Sequence, residues 1–403
     1  MKLILKNFGA IKELEVTSKP LMIFIGHQGT GKSTLAKLIT ILTNKAYQTF
    51  DSFKYALQYY NIDYALNMKN TFLHFEDEVF NWYLHFENGI YNFGNLVHSE
   101  QFITTDEKTK LEEFIKKFEN NDTALSEFIK ESKNAAESML KLLEYFKGDM
   151  DKFQTAMNIQ VLEQTKDKTV YIPAERILMS NISEYIFEFV KKDIDFPKCI
   201  IEFGAKFEKS RRELKEINVE FLNKVKYNYS KNEDVISVKG NKKLKLSQSS
   251  SGMQASVPLA LVVSYYAPLA HVLFTIEEPE LNLFPIAQKQ LVHFLSKHCI
   301  KNNNQLIVTT HSPYIISAFA NLIQAGNAAF SNPHLQNKLK KIISEEEWID
   351  FEDVAAYYFD ENNGTIKSIL NYDNETIDGN IIDDASDIFA DEFDKIMKIK
   401  YQN

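Results

Sequence analysis

The sequence feature that most constrains the fold is a glycine-rich turn near the amino terminus. Residues 26–33 read Gly-His-Gln-Gly-Thr-Gly-Lys-Ser, a full match to the pattern G-x-x-x-x-G-K-[S/T]. The turn follows an apolar run at residues 21–25 and precedes a segment with the apolar spacing of a helix at residues 33–42. A buried strand, a glycine turn and a helix in this order predict an α/β domain whose turn surrounds phosphate groups. We call residues 26–33 the phosphate-binding loop.

The residue types in this loop predict an ATP site with a bound Mg²⁺. We expect Lys32 to reach the β- and γ-phosphates and the Ser33 hydroxyl to ligate Mg²⁺. The next residue, Thr34, is expected to contact the α-phosphate. The remaining contacts to ATP are expected from the loop residues that surround the phosphates, namely Gly26, Gln28, Gly29, Thr30 and Gly31.

Composition places the chain among folded proteins without a membrane span. Of its 403 residues 44% are hydrophobic and 25% are charged, which suits a chain with a sizeable core. No segment approaches the roughly 20 consecutive apolar residues of a membrane helix, and the first residues alternate like a strand instead of forming a signal peptide. The two cysteines, Cys199 and Cys299, are far apart. We therefore expect a cytoplasmic protein without a disulfide framework or a membrane partner.

Negative charge is concentrated at the carboxyl terminus. The net charge is −9, but residues 345–403 hold 17 acids against 4 bases, so the rest of the chain is slightly basic. The acidic segment is either a solvated surface or a recognition surface for a partner. Asp383, Asp384 and Asp387 within it are either Mg²⁺ ligands or part of the same acidic surface. Overall acidity argues against strong constitutive DNA binding and leaves a local basic groove open.

A long segment without strong helix breakers follows the phosphate-binding loop. No proline occurs between residues 20 and 173, and apolar residues recur about every 3.5 positions between residues 111 and 146. We therefore predict a helical insertion, formed either by a short coiled-coil arm or by amphipathic helices packed on the core. The predicted domain boundaries are 1–45 for the first part of the head, 46–168 for the insertion, 169–330 for the second part of the head and 331–403 for an acidic segment.

The second part of the head alternates strands and helices. This alternation predicts a mainly parallel sheet. The predicted elements are a strand at 169–172, a helical run at 207–225, a hairpin of 235–238 with 244–246, helices at 257–266 and 286–298, and strands at 272–276 and 305–310.

Two consecutive carboxylates end the predicted strand at residues 272–276. Residues 273–280 read Leu-Phe-Thr-Ile-Glu-Glu-Pro-Glu. Glu277 is expected to hold Mg²⁺ or its waters, and Glu278 to position the attacking water or accept its proton. A solvated strand end has the same spelling, but the phosphate-binding loop upstream favours the catalytic interpretation. Asn282 follows in a loop that is expected to face a second subunit.

Two further motifs are weak when each is taken alone. Residues 249–254 read Ser-Ser-Ser-Gly-Met-Gln and precede an apolar helix, with Ser251 as its expected N-cap and Gly252 allowing close backbone approach. We call residues 249–254 the signature segment. A strand at 305–310 delivers a single histidine, His311, to its carboxyl end. Alone, the first motif is a capped helix and the second a structural histidine.

The order of these motifs resembles the ABC-type ATPases related to the SMC, RecF and Rad50 proteins. The resemblance implies an ABC-type P-loop ATPase head, α/β with a mainly parallel sheet and a helical insertion. It also implies that Ser251, Gly252 and Gln254 of one subunit bind the γ-phosphate held by the other, and that His311 senses that phosphate. Met253 replaces the usual second glycine of this signature. The expected assembly is a homodimer or a higher homo-oligomer.

Variant spellings are similar to one branch of this superfamily. Three segments resemble the ATPase part of overcoming-lysogenization-defect nucleases, namely Tyr-Ile-Pro-Ala-Glu-Arg at 171–176, Ser-Ser-Gly-Met-Gln at 250–254 and Glu-Glu-Pro-Glu-Leu-Asn-Leu at 277–283. They also resemble stand-alone ATPases of anti-phage systems such as PARIS, Septu and retron-linked operons. The chain after His311 is too short for the Toprim nuclease domain of the former. The resemblance therefore implies an ATPase that controls a separate effector, a nuclease or a toxin.

Three alternatives remain open from the sequence. The chain is either this defence ATPase, a RecF- or Rad50-like ATPase that acts on DNA in repair or chromosome maintenance, or a scaffold that binds ATP without turnover. The glutamine loop of such enzymes has no clear counterpart in the sequence, and Gln101 and Gln164 are both candidates. Glu175 and Arg176 either reach the nucleotide or form a buried pair.

Overall fold

The computed structural model describes most of the chain outside the middle of the predicted insertion. The described residues are 1–44, 50–67, 69–76, 81–87, 90–95, 169–182, 196–223, 225–238, 242–360, 364–378 and 384–401. Within these ranges, no helix has both the length and the apolar character needed to cross a membrane.

Strands and helices are numbered in chain order. The strands are β1 (Lys2–Phe8), β2 (Ile11–Thr17), β3 (Leu21–Gly26), β4 (Thr71–Glu76), β5 (Asn81–Glu87), β6 (Ile90–Asn95), β7 (Thr169–Ile172), β8 (Glu216–Asn218), β9 (Lys226–Ser230), β10 (Glu233–Val238), β11 (Lys242–Lys245), β12 (Leu273–Glu277), β13 (Gln305–Thr310), β14 (Val354–Phe359), β15 (Ile366–Ser368), β16 (Leu370–Asn371) and β17 (Thr376–Ile377). The helices are α1 (Lys32–Thr43), α2 (Phe50–Tyr59), α3 (Leu178–Ile182), α4 (Lys198–Leu214), α5 (Ser251–Tyr266), α6 (Pro285–Cys299), α7 (Pro313–Ser331), α8 (Gln336–Leu339) and α9 (Asp384–Tyr401).

A six-stranded sheet forms the centre of the molecule and aligns three of the predicted motifs. Its order is β15-β14-β3-β13-β12-β7, and every pairing is parallel except that of β14 with β15. The predicted α/β fold with a mainly parallel sheet is therefore confirmed. Ile25 pairs with Thr310 and Glu277 pairs with Thr309. The carboxyl ends of β3, β13 and β12 consequently meet at one edge of the sheet.

Apolar side chains of the central strands point alternately to the two faces of the six-stranded sheet. Leu21, Ile23 and Ile25 belong to one core with α5, α6 and α7. Met22 and Phe24 belong to a second core with α1, α2 and the neighbouring antiparallel sheet. This alternation buries both faces, as a parallel sheet requires.

The prediction of helices is wrong for the first part of the insertion, which contributes strands to a five-stranded antiparallel sheet. Its order is β2-β1-β4-β5-β6, so residues 71–95 contribute three strands where helices were expected. Thr71, Leu73 and Phe75 are buried and alternate with half-buried residues, a period of two that the absence of breakers obscured. Residues 111–146, where apolar spacing predicted the helices of the insertion, lie outside the described residues, as do Gln101 and Gln164.

The predicted helical run at 207–225 is also too long. Helix α4 ends at Leu214, where Lys215 adopts a φ of 58°, and Ile217 lies in strand β8. Ile217 belongs instead to a small sheet of order β11-β10-β9-β8, and Phe221 and Val225 lie in the connection from β8 to β9. The hairpin of β10 with β11 and the helices and strands predicted between 257 and 310 are confirmed.

Part of the predicted acidic segment belongs to the central sheet. Strand β14 pairs with β3 beside the phosphate-binding loop, because Val-Ala-Ala-Tyr-Tyr-Phe is apolar although its surroundings are acidic. The boundary at residue 331 therefore separates pieces that share one sheet. Asp383 and the side chains of Asp384 and Asp387 lie outside the described part, so a metal site there stays a prediction.

Candidate active site

The phosphate-binding loop connects β3 directly to α1 through glycines at positive φ. Gly26, Gly29 and Gly31 have φ values of 144°, 76° and 99°. A Cβ at Gly26 would lie 2.3 Å from the carbonyl oxygen of Phe359 in β14, so a side chain cannot fit there. Helix α1 begins at Lys32, and its first backbone N–H groups therefore point into the loop. This geometry suits an anion at the helix start.

The Lys32 side chain lies inside the phosphate-binding loop and binds its backbone. Its Nζ donates hydrogen bonds to the carbonyl oxygens of Gly26 at 2.9 Å and His27 at 2.5 Å. Burial lowers the pKa of Lys32 to about 8, and the negative charges of Glu278 and Glu280 partly oppose this shift. The cation is thus held where phosphate oxygens are expected, close enough to the strand-end carboxylates to feel their charge.

The other predicted loop residues differ in exposure. Gln28 is exposed, whereas the Thr30 hydroxyl donates to the carbonyl oxygen of His27 at 2.8 Å. Thr34 is buried, and its hydroxyl lies 3.1 Å from the hydroxyl of Tyr64. A role for Thr34 at the α-phosphate stays a prediction. In the structure the Thr34 hydroxyl is within hydrogen-bond distance of the Tyr64 hydroxyl.

The first strand-end carboxylate, Glu277, is almost fully buried. Burial raises its pKa, while Lys37, Tyr171 and Ser33 lower it and so lie near its carboxylate. One oxygen, Oε1, is buried and makes no hydrogen bond within the described structure. Such an oxygen beside the Ser33 hydroxyl fits a Mg²⁺ ion whose remaining ligands are phosphate oxygens and water. The described residues contain no cluster of three or more His, Cys, Asp or Glu that would hold a metal without a nucleotide.

The second carboxylate, Glu278, points toward His311. Its backbone adopts a φ of 43°, and its N–H donates to the carbonyl oxygen of Thr309 at 2.8 Å. Nε2 of His311 lies 3.4 Å from Oε1 of Glu278. Interaction with His311 lowers the pKa of Glu278, burial opposes this shift, and the cations of Arg176 and Lys32 add to it. Glu278 is therefore ionised at neutral pH and open enough to contact water.

A third carboxylate, Glu280, was not predicted as a site residue. Its Oε1 accepts hydrogen bonds from the Thr310 hydroxyl at 2.6 Å and the backbone N–H of His311 at 2.9 Å. Glu280 thereby fixes the end of β13 relative to the loop after β12 and orients the backbone that carries His311. Its place in the Glu-Glu-Pro-Glu run was the only sequence signal, and no spacing rule distinguished it from a surface residue.

Arg176 fits neither of the interpretations that the sequence left open. Its side chain is fully buried, and burial lowers its pKa to about 10 although four glutamates oppose this shift. Its donors bind backbone carbonyls, and the neighbouring Glu175 is exposed. The acceptors are the carbonyl oxygens of Pro173, Ala255, Glu277, Glu278 and Pro279, at 2.7 to 3.2 Å. Arg176 therefore connects the backbone after β7, the backbone near the start of α5 and the backbone of the two glutamates at the end of β12.

The signature segment begins helix α5 one residue earlier than predicted. Ser250 is the N-cap, without a side-chain capping hydrogen bond, and the exposed Ser251 is the first helical residue. A Cβ at Gly252 would lie 2.6 Å from the carbonyl oxygen of Asn282. The start of α5 thus packs against the loop after β12, and only glycine permits this approach.

The amide of Gln254 is engaged within its own chain. Its Nε2 donates to the carbonyl oxygens of Ser247 and Ser249 at 3.0 and 2.9 Å, and its Oε1 accepts from Asn181 at 3.1 Å. The Ser180 hydroxyl donates to the carbonyl oxygen of Gln254. These contacts hold the turn before α5 in place. Contact of Gln254 with a nucleotide on another chain stays a prediction.

The predicted residues therefore form two groups. One group meets at the carboxyl edge of the central sheet, and the other starts α5 with an exposed serine. The first group is Lys32, Ser33, Glu277, Glu278 and His311, and the second is Ser251 and Gly252.

Comparison with known proteins gives one family match and several distant structural likenesses. The chain is similar to the SMC head domain from Thermotoga maritima, with 12% identity, a TM-score of 0.40 and coverage of 92% of this chain and 97% of that chain. It is similar to the Smc head domain with an extended coiled coil bound to the C-terminal domain of ScpA from Pyrococcus furiosus, with 13% identity, a TM-score of 0.40 and coverage of 91% and 95%. An SmcHead bound to the C-winged helix domain of ScpA gives 13% identity, a TM-score of 0.41 and coverage of 91% and 96%.

No curated protein sequence matches the chain significantly. The family model of the AAA ATPase domain matches residues 1–316, which include the phosphate-binding loop, the signature segment, both strand-end glutamates and His311. Because this match covers most of the chain, the protein belongs to the AAA ATPase domain family.

Proposed function

We propose that this chain binds and hydrolyses MgATP as an ABC-type ATPase, at sites completed by a second copy. The observation that carries the proposal is the meeting of three adjacent strand ends at one edge of the sheet. They bring together the phosphate-binding loop with Lys32, the pair Glu277 and Glu278, and His311 within 3.4 Å of Glu278. This combination provides a phosphate site, a metal ligand and an acceptor for a water proton.

In the proposed hydrolysis, different residues of the chain bind phosphate, hold the metal and position the water. Lys32 and the first N–H groups of α1 hold the phosphates and offset their charge. Ser33 and Glu277 hold Mg²⁺, which would further neutralise the phosphate oxygens when bound. Glu278 positions the attacking water and accepts its proton, since it is ionised and partly exposed. His311 keeps Glu278 ionised and lies where it can contact the γ-phosphate.

Exposed apolar side chains beside the site support pairing of two copies. Phe284, Ile286 and Tyr314 are 76%, 62% and 53% exposed. They lie on neighbouring segments, because Gln288 donates to the carbonyl oxygen of Leu283 and accepts from Ser312, whose hydroxyl caps α7 at Tyr314. The start of α5 packs against the same loop through Gly252. Large exposed apolar side chains around a catalytic edge are typical of an interaction surface.

A mixing experiment tests the composite site. Ser251→Arg is expected to leave ATP binding nearly intact and to abolish turnover, because the bulky cation blocks approach of α5 to the opposing phosphate. Lys32→Ala is expected to abolish ATP binding. Mixed together, the two inactive chains form one site from the intact phosphate-binding loop of the first and the intact signature segment of the second. Recovery of ATPase activity on mixing is the expected result.

The outcome distinguishes two structural explanations for Ser251. If Ser251 only starts a helix, Ser251→Arg changes stability by roughly 1 kcal/mol or less and leaves turnover unchanged. Wild-type turnover of Ser251→Arg would reject the composite site and leave a generic P-loop ATPase. A matched control is Ser331→Arg, an exposed serine at the end of α7 opposite to Tyr314; it is expected to leave turnover and ATP binding unchanged.

For the biological role, we propose a sensor or scaffold ATPase that controls a separate effector, a nuclease or toxin, in anti-phage defence. The support is the similarity of residues 171–176, 250–254 and 277–283 to the ATPases of such systems. The alternative is a RecF- or Rad50-like ATPase acting on DNA. Turnover measured with and without double-stranded DNA, and toxicity on co-expression with the neighbouring genes, separates the two. Strong stimulation by DNA without a neighbouring effector would reject the defence role.

A further inference from the structure

The terminal helix α9 exposes large apolar side chains to solvent. Phe393, Ile396 and Ile399 are 60%, 61% and 76% exposed. From residue 390 to residue 400 every side chain is exposed except that of Met397, which is partly buried. Exposure of three large apolar residues on one helix of 18 residues is unfavourable in water and marks a contact surface.

The exposed apolar residues occupy one side of α9. At about 100° per residue, Phe393, Ile396, Met397 and Ile399 fall within an arc of roughly 160°. Glu392 and Lys400 also fall within this arc, at either end of the apolar residues along the helix, and the remaining arc carries charged residues of both signs, namely Asp391, Asp394, Lys395 and Lys398. Lys395 pairs with Asp391 one turn away on this charged side. The helix is therefore amphipathic, with an apolar face that the described structure leaves uncovered.

The charges of α9 are separated along its length. Residues 384–394 contain five acids and no base, and residues 395–401 contain three lysines and no acid. An antiparallel pair of such helices places the acidic half of each beside the basic half of the other. A parallel pair would place like charges side by side, which is unfavourable. The helix is thus complementary to itself in one orientation.

We propose that α9 pairs in antiparallel orientation with α9 of a second copy of this chain, joining two chains independently of nucleotide. The apolar faces bury each other, and the separated charges set the orientation. A self-complementary surface produces a two-fold symmetric contact, the commonest symmetry of protein dimers. This contact is separate from the proposed composite ATP site, since it involves none of the residues of that site.

Charge exchange on α9 tests the pairing by sedimentation velocity without nucleotide. The wild type is expected to sediment at twice the mass of the 46.7 kDa chain. Two triple variants are each expected to sediment as monomers at low salt, because the first helix then carries only acids and the second carries six lysines against the two remaining acids, Asp384 and Asp387. An equimolar mixture of the two is expected to recover the dimer. The variants are Lys395→Glu with Lys398→Glu and Lys400→Glu, and Asp391→Lys with Glu392→Lys and Asp394→Lys.

Recovery on mixing excludes misfolding as the reason for a monomeric variant. A wild-type monomer without nucleotide, or variants that both remain dimeric, would overturn the proposal. A mixture that stays monomeric although both variants unfold at the wild-type temperature would overturn it as well, and would favour a different protein as the occupant of this face.

Disulfide trapping tests the orientation. In an antiparallel pair centred near Phe393, Phe393→Cys is expected to cross-link between chains under mild oxidation. Ile399→Cys is the matched control, because two copies of residue 399 would then be roughly 18 Å apart along the helix. The native Cys199 and Cys299 are buried and give a low background. Cross-linking at both positions indicates a parallel pair and overturns the proposed orientation, and cross-linking at neither overturns the pairing.

Different substitutions are expected to disrupt the ATP site and the α9 contact. Lys32→Ala is expected to remain dimeric without nucleotide while losing ATP binding. The α9 charge variants are expected to bind ATP with wild-type affinity as monomers. Loss of the nucleotide-free dimer in Lys32→Ala would show that a single contact produces both effects, and would overturn the separate role of α9.

Discussion

The two helix starts that we propose to contact phosphate, those of α1 and α5, are built differently. Helix α1 follows three glycines at positive φ, and its first residue, Lys32, is buried and bonded to two carbonyl oxygens of the loop. Helix α5 follows Ser250 at an ordinary φ of −65°, without a side-chain cap, and its first residue is exposed. Both starts present backbone N–H groups, but of the two only α1 begins with a lysine whose ammonium lies inside a glycine loop, followed directly by the proposed metal ligand Ser33.

This difference separates what one chain can do from what two chains can do. The start of α1 has the groups that we propose to bind MgATP within a single chain. The start of α5 is preformed by Gln254 and Gly252 but has none of the groups that would retain a nucleotide. The contrast supports a division in which binding belongs to one chain and turnover requires a partner. The following predictions test it from the largest effect to the smallest.

Substitution of the proposed water-positioning carboxylate is expected to have the largest effect. Glu278→Gln keeps the shape of the side chain but removes its charge, so turnover is expected to fall by roughly 10²–10⁴-fold. ATP affinity is expected to stay within a factor of a few, because Lys32, Ser33 and Glu277 are intact. Steady-state phosphate release and equilibrium ATP binding measure the two quantities. Unchanged turnover would place the acceptor elsewhere, and absence of turnover in the wild type would identify a non-catalytic scaffold.

Removal of the buried cation is expected to weaken ATP binding without altering the fold. Lys32→Ala is expected to lower affinity roughly 100-fold or more, because the phosphates lose their charged partner in a water-poor site. Isothermal titration calorimetry measures this loss. Lys54→Ala, at an exposed position of α2, is the matched control and should bind ATP normally. Equal affinity of wild type and Lys32→Ala would reject the site at α1.

A methyl group at the start of α5 tests the contact between the signature segment and the loop after β12. In Gly252→Ala the added Cβ meets the carbonyl oxygen of Asn282 at 2.6 Å, so one of the two segments must move. We expect a loss of roughly 1–3 kcal/mol in the free energy of unfolding. Turnover should decrease while ATP affinity is retained. Chemical denaturation together with both assays tests this, and a fall in affinity instead would contradict the division between the two helix starts.

Titration of Lys32 predicts that ATP binding depends on pH. Burial lowers the Lys32 pKa to about 8, so the free site loses its positive charge as pH rises through 8. Bound phosphate favours the protonated form, so affinity is greatest below pH 8 and falls by up to roughly tenfold per pH unit above it. Binding should therefore take up protons near pH 8.5. Calorimetry in two buffers of different ionisation enthalpy measures this uptake, and equal apparent enthalpies would contradict the prediction.

The smallest expected effect compares two serines at helix starts. Ser312 accepts a capping hydrogen bond from the N–H of Tyr314 at 3.2 Å, whereas Ser250 makes no such bond. Ser312→Ala is expected to reduce the free energy of unfolding by about 1 kcal/mol, and Ser250→Ala by only a few tenths. Thermal unfolding of the two variants measures the difference. Equal losses would show that Ser250 caps α5 in solution.

The sequence predicted the parts of the site that depend on neighbouring residues. The glycines before α1 and the carboxylates after β12 are short patterns with one structural solution, so Lys32, Glu277 and Glu278 could be predicted to lie at one edge of the sheet. The pairing of β14 with β3 joins segments more than 300 residues apart. No local pattern contains that information. The absence of breakers is compatible with strands as well as helices, so it does not distinguish β4 to β6 from the predicted helices, whereas the alternation of Thr71, Leu73 and Phe75 does.

The role of Arg176 was beyond sequence reasoning for a different reason. A charged residue after a strand suggests a charged partner or a ligand, and both were considered. In the structure Arg176 donates to backbone carbonyl oxygens instead. Every residue has a backbone carbonyl, so the residue types in the sequence do not indicate these contacts. Glu280 was missed for a similar reason, since it binds a hydroxyl and a backbone N–H.

The guanidinium of Arg176 has a mechanical consequence for the whole site. It bonds at once to the first turn of α5 and to the backbone of both strand-end glutamates, and its rigid planar geometry allows little change in these distances. A partner that displaces the start of α5 would therefore also displace the backbone of Glu278. In the composite site that we propose, docking of a second chain and placement of the attacking water would then be one movement, and assembly would set the time of hydrolysis.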